Sequence, residues 1–437
     1  MRATMRSTLP VLLVLIAATT QAADFATFSR WLDEHADAPS DGLAAGAYDA
    51  SRLAELTPYL PPGYLEEFNF PELALELTPT RHYAPHALYT QATERFIDQA
   101  SIGAGGELLA YTAGRPFSLR AITAAPAEQA GYMVAWNHIQ RWQYYGYHNH
   151  AVVSFIKPTA DGVRGTLLEG MQGEGHVDRS VTMFYHRVYL SGLAMLPDSD
   201  YRMPVDGADK LLFKEYLELL SPFDIAGLKL VIERPLDQTL GDQVNSYLPS
   251  ERRVRRLSAK ERADRWIGTH WTLDDFEGYS GLVLDNTWRY LGRKVVLHVP
   301  SSKHKLAQMH GPLSIIPLDR WQLRPCLVVE AVPKWDGHAY GRRVLFVDEE
   351  TGSITLALIF DRNDHLFKVI ATVYEFSDDL EAPPPELSTP RWRASTVLNL
   401  EQRTANLAQS SSEAEFEAVD ASYVKQLFSV SNLTSGR

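Results

Sequence analysis

Between residues 151 and 376 the chain is a succession of short apolar or alternating runs separated by turn residues, among them 151–156, 181–190, 228–233, 294–299 and 327–332. That spacing predicts antiparallel β structure. The clearest stretch is a meander: residues 343–347 lead through the turn 348–352 into 353–360, and 361–364 turns the chain into 366–376. Outside this region the pattern changes. In residues 25–35 (FATFSRWLDEH), Phe25, Phe28 and Leu32 recur at helical spacing, and Pro58, Pro61 and Pro62 then break the chain. Residues 23–86 therefore read as a helical or irregular arm. Beyond residue 380 a break at Pro383, Pro384 and Pro385 opens a polar tail, 381–437. A helix is expected there over 413–428, where Phe416, Val419, Tyr423 and Leu427 share a face. There is no internal repeat.

The N-terminal pattern is of another kind. Arg2 and Arg6 precede the apolar run 9–18 and the small-residue stretch 19–23, which is the order of a cleavable export signal over residues 1–22. The run is half the roughly 20 residues that a spanning helix needs, so cleavage after Ala22 or Ala23 is expected rather than anchoring. No cysteine stands directly after that point to carry a lipid. The single cysteine, Cys326, lies in an apolar stretch, where a thiol without a partner is expected to be buried. These features predict a periplasmic protein that is not a lipoprotein.

Charge narrows the function classes. The chain has 42 basic and 54 acidic residues, a net charge of −12, which argues against nucleic-acid binding. One segment opposes that background: Arg252, Arg253, Arg255, Arg256, Lys260, Arg262 and Arg265. Guanidinium groups pair with phosphate or carboxylate, so an anionic headgroup or acidic partner fits here, and a charged sheet edge that resists aggregation fits equally.

Motifs for catalysis are weak. His148-Asn149-His150 is too short a match to indicate a nuclease. Glu174, His176 and Asp178 alternate and would share one face of a strand, as metal ligands do, but surface polar alternation explains them as well. His82 and His86 flank Pro85, which disfavours the helix that would align them. Gly103-Ala104-Gly105-Gly106 lacks the lysine of a phosphate loop, and Asp274-Asp275 alone does not identify a glycosidase. No nucleophile elbow or His-Glu-x-x-His helix occurs. No cofactor is expected.

Aromatic residues crowd two stretches, Trp136, Trp142, Tyr144, Tyr145 and Tyr147, then Trp266, Trp271, Phe276, Trp288 and Tyr290. They are candidates either for the walls of an apolar cavity or for plain core. The candidate ligand-binding set is Trp136, Trp142, Tyr144, Phe155, Tyr247, Arg253, Arg255, Trp288 and Tyr290.

The strings Tyr247-Leu248-Pro249-Ser250-Glu251-Arg252-Arg253-Val254-Arg255-Arg256, Asp274-Asp275-Phe276 and Trp288-Arg289-Tyr290-Leu291-Gly292-Arg293-Lys294, in that order, resemble an uncharacterised family of exported bacterial proteins related to the outer-membrane lipoprotein-sorting factors LolA and LolB. Tyr111 to Phe117 (YTAGRPF), Trp136-Asn137 and Ser221-Pro222-Phe223-Asp224 match too. The resemblance implies an α+β, mainly antiparallel β fold over residues 87–380: an incomplete, strongly curved β-barrel with helices covering its concave face. It also implies a lipid or other hydrophobic cargo, and RND-type transporters or outer-membrane proteins as partners. Peripheral membrane contact is compatible with that role. A carrier needs a dry pocket and no chemistry, since each methylene exposed to water costs about 0.8 kcal/mol. The rivals are an envelope enzyme using a metal at Glu174, His176 and Asp178, and a non-enzymatic adaptor of an envelope complex.

Overall fold

Each of the alternating runs falls in a β-strand. The structure, a computed structural model, describes residues 23–160, 165–257, 259–379, 387–411 and 418–434. The expected export signal at 1–22 lies outside the described residues, as do Pro383, Pro384, Pro385, Phe416 and the side chain of Lys260.

Two short strands come from the N-terminal arm, β1 (Gly46–Tyr48) and β2 (Leu75–Leu77). A first meander follows: β3 (Gly146–Lys157), β4 (His176–Tyr189), β5 (Leu211–Ser221), β6 (Lys229–Pro235), β7 (Gln243–Leu248) and β8 (Arg253–Leu257). A second comprises β9 (Asn286–His298), β10 (Arg320–Pro333), β11 (Arg342–Asp348), β12 (Ile354–Phe360), β13 (Leu366–Phe376), β14 (Pro390–Asn399) and β15 (Thr404–Ser410). Within each meander successive strands pair antiparallel, and β15 pairs with β3 to join the two into one sheet. No pairing closes β8 onto β9 among the described residues, so the sheet is an open, mainly antiparallel one with a few helices. No helix among those residues is long and apolar enough to cross a membrane.

Of the residues expected as a polar tail, Pro390–Asn399 and Thr404–Ser410 are therefore part of the sheet. Ser410 and Ala405 face Ala151 and Ile156 of β3 across the joint. The misreading has a physical cause. Arg391 and Arg393 make β14 look solvated, yet both are buried and lie 3.8 and 3.4 Å from Glu375 of β13. Of the helix expected over 413–428, Ala421–Leu427 is helical, with Asp420 accepting from the Tyr423 backbone N–H at its start, so Val419 precedes it and residues 413–417 lie outside the described residues.

The arm seals the outer face of the second meander. Helix α1 (Phe25–Glu34) is capped by Asp24 and buries Phe28, Trp31 and Leu32. Phe28 packs on Phe346 and Phe360, with ring centroids 6.2 Å from each. With both faces covered, every residue of β12 is buried: Leu356, Leu358 and Phe360 belong to the outer core, Ile354, Ala357 and Ile359 to the inner one. Such strands read as unbroken apolar runs. Cys326 is buried in the outer core, and burial pushes its thiol pKa up, so it is inert. On the inner face, helix α2 (Ala127–Ile139) lies over β9 and β10, where Gly131 lets its backbone approach Arg289.

Candidate functional site

Beside α2, the inner face is covered by residues 262–285, which cross it in short turns at Trp266–Gly268, Leu273–Gly278 and Val283–Asp285. The local sequence forbids a continuous helix. Asp275 accepts from the Thr272 backbone N–H at 2.9 Å, while Ile267 and Glu277 adopt positive φ (45° and 50°). Gly278, at φ 86°, sits where a Cβ would come within 2.4 Å of the Ile354 side chain, so glycine permits the segment to lie on β12.

Charged side chains of this segment reach both halves of the sheet. Asp275 contacts Arg343 of β11 at 2.6 Å and Lys368 of β13 at 3.4 Å, and accepts from the Tyr340 hydroxyl at 2.7 Å. Glu277 pairs with Arg141 at 2.7 Å and Arg187 of β4 at 3.5 Å. Arg187 also pairs with Glu215 of β5 at 2.6 Å. Arg262 bridges Asp242 at 3.1 Å and Asp274 at 2.9 Å, and Arg234 holds the same Asp242 while donating to the carbonyls of Ser280 and Gly281. Asp274 apart, these ionic groups are at least nine-tenths buried. Burial alone would raise the carboxyl pKa of Asp275, but Lys368 and Arg343 more than offset it and hold it below its usual value. Glu215 is lowered likewise, with Arg187 overcoming its burial. Lys368 is pushed down to about 8 by burial in spite of Asp275. Buried pairs of this kind fix position more than they add net stability, because desolvation consumes most of the Coulombic gain.

Under this clamp lies an apolar cavity of about 70 Å³. The sheet lines it with Val153, Met183, Tyr185, Leu217, Leu230, Ile232, Trp392 and Ala408, and the covering segment adds Trp266, Trp271, Leu273 and Phe276. These sheet residues come from six neighbouring strands, β14, β15 and β3 to β6, which would span about 24 Å if flat. One small cavity touching all six requires strong curvature. Its volume is less than half of the roughly 150 Å³ that admits benzene in an engineered protein cavity, so a long apolar guest enters only if residues 262–285 move.

None of the nine residues expected to bind ligand lines this cavity. Trp136 and Trp288 are core residues whose indole N–H groups donate to the carbonyls of Gly106 and Val283, both at 2.8 Å. Trp142 donates to Leu387 O at 2.6 Å and, with Tyr144, borders a separate cleft of about 20 Å³. Phe155, Tyr247 and Tyr290 are half-buried against the inner core. Arg253 and Arg255 are exposed on β8, with Arg255 paired to Glu251 at 2.5 Å. By register they share the face of Leu230 and Ile232, at the open edge of the same concavity. The aromatic stretch containing Trp266, Trp271 and Phe276 does reach the cavity. What sequence reading missed is the alternation in Thr272-Leu273-Asp274-Asp275-Phe276-Glu277, where clamp and cavity residues are interleaved.

The metal candidates do not converge. Asp178 pairs with Lys157 at 2.8 Å, His176 accepts from the Thr166 N–H at 3.1 Å, and Glu174 is exposed. Among the described residues no three His, Cys, Asp or Glu side chains are placed to hold a metal ion. His148 and His150 pack against the Phe184 ring on the sheet.

No curated protein matches this sequence. Similar solved structures include a DUF1329 family protein from Desulfovibrio piger (16% identity, 71% of this chain and 100% of that one, TM-score 0.45). A putative outer membrane lipoprotein-sorting protein domain from Vibrio parahaemolyticus is similar at 14% identity, over 69% of this chain and 97% of that one, with a TM-score of 0.44. A LolA superfamily protein from Nitrosomonas europaea follows at 11% identity, 70% and 100% coverage, and a TM-score of 0.38. The family model for DUF1329, proteins of unknown function, matches residues 49–434, and the chain belongs to that family.

Proposed function

We propose that this protein is a carrier for a lipid or another hydrophobic molecule, held against the concave face of the sheet once residues 262–285 swing aside. The observation that carries this reading is the apolar cavity between a curved sheet and a segment without a continuous helix, clamped by charges. An apolar guest gains about 0.8 kcal/mol for each methylene withdrawn from water, while the clamp groups regain hydration when they open. The reading includes export to the periplasm, through the signal at 1–22, and delivery to or from an RND-type transporter or an outer-membrane protein. It assigns no catalysis.

The test is to purify the full chain from its native compartment without detergent and identify co-extracted molecules by mass spectrometry. A stoichiometric apolar compound is expected. Protein that is empty in every preparation, yet co-purifies with envelope proteins, would replace the carrier by an adaptor.

A further inference from the structure

We infer that the end of the sheet where β5 turns into β6 and β7 into β8 docks on an anionic lipid membrane, with Phe223 as the side chain that inserts. Phe223 is 98% exposed. It is not a loose residue, because its turn is tied by bonds from Ile225 N and Ala226 N to Pro222 O (3.1 and 3.0 Å) and from Gly227 N to Leu219 O (2.7 Å). Leu220, at the start of that turn, is 43% exposed. Isolated exposed leucines need no explanation, but a phenylalanine held wholly in water on a braced turn loses the burial that its ring would gain elsewhere.

The neighbouring turn supplies charge. Pro249 packs over Gly227, so the β7–β8 hairpin lies directly beside the Phe223 turn. That hairpin presents Arg252, Arg253, Arg255 and Arg256, all exposed. Residues 219–228 and 249–256 hold four arginines and two carboxylates, in a chain whose net charge is −12. Both carboxylates are paired, Asp224 with Arg179 at 3.4 Å and Glu251 with Arg255 at 2.5 Å. The surface thus joins a projecting apolar ring to a cationic strip, the combination that binds an anionic interface. An acidic protein would satisfy the arginines but would also need a pocket shaped for Phe223, whereas a bilayer accepts the ring without one. This deepens the carrier reading but stands on separate observations. Docking and cargo binding are measured in different assays, so either can fail alone.

The test is flotation of the full chain with phosphatidylcholine vesicles, with and without phosphatidylglycerol. Binding is expected only to the anionic vesicles and should weaken as salt is raised. Phe223→Ser should reduce it about tenfold, and Arg252→Ser and Arg253→Ser about fivefold each. All three variants should keep the parent melting temperature, as exposed positions do. Undiminished binding by Phe223→Ser, equal binding to neutral vesicles, or no vesicle binding at all would overturn the inference. Capture by an acidic protein surface without vesicle binding would reassign the patch to a protein partner.

Discussion

The half of the sheet from β9 to β15 and the half from β3 to β8 share an up-and-down topology but are lined in different ways. In the first of these, α1 and the arm seal the outer face, α2 covers β9 and β10 on the inner face and residues 273–278 cover β12 and β13 there, and strands such as β12 are apolar on both sides. In the second, Met183, Leu217 and Ile232 share the inner face with Arg187, Glu215 and Arg234, under a segment with no continuous helix. The difference teaches how a β-sheet can be both a scaffold and a container. Interdigitated apolar side chains lose their whole contribution when separated, whereas an ion-pair clamp exchanges its protein partners for water. The apolar outer core of the β9–β15 half is built to stay shut, and the inner face that the clamp covers, which extends onto Arg343 and Lys368 of that half, is built to open.

The comparison breaks most easily in the apolar half. Phe346→Ala should cost roughly 3–5 kcal/mol in denaturant unfolding, whereas Leu217→Ala, which already borders empty space, should cost about 2 kcal/mol. Equal losses would erase the distinction. Next in size is the clamp: Asp275→Ala leaves Arg343 and Lys368 buried without their counter-charge. A loss of about 3 kcal/mol is expected. Hydrogen exchange should rise over residues 266–280 while β11 to β13, held from the outer face, stay protected, and uniform deprotection would contradict the division between a sealed outer core and a clamped inner face.

Acid should act on the same boundary. Burial pushes His138 and His186 down to about 3, and His270 and His338 to about 4, from an ordinary 6.5. These histidines are neutral in the fold, and the unfolded chain takes up protons first as pH falls. Their contribution is therefore complete above about pH 6.5 and is lost progressively below it. For His138, which contacts the carbonyls of Gly352 and Tyr279, the loss at about pH 5 is about 2 kcal/mol. The depressed carboxylates Asp275 and Glu215 add to it only below their ordinary range. Unfolding curves that do not change between neutral pH and pH 5 would refute the assignment.

The strands were legible in the sequence because alternation is local. The expected run 366–376 coincides with Leu366–Phe376, and the helix expected at 25–35 with Phe25–Glu34. The clamp was not legible, because its pairs join positions 68 and 93 residues apart, Asp275 with Arg343 and with Lys368, and no short spacing announces them. Strand β14 was hidden by its arginines, which look like surface until Glu375 is beside them. Among the tryptophans, composition does not separate Trp136, whose N–H is bonded in the core, from Trp271, which faces the cavity. Only the packing partner distinguishes wall from core.

The claim that the cavity receives an apolar guest is tested most directly by filling it. Ala408 is a small wall residue on β15, and leucine there adds three carbons to a space of about 70 Å³. The measurement is a fluorescence titration with an apolar naphthylamine dye on the parent protein and on Ala408→Leu, with melting followed in parallel. The parent should bind one dye per chain, and the variant about tenfold more weakly, a loss of about 1.4 kcal/mol, at an unchanged melting temperature. Equal affinity in the two proteins would contradict the account, as would a parent that binds no dye.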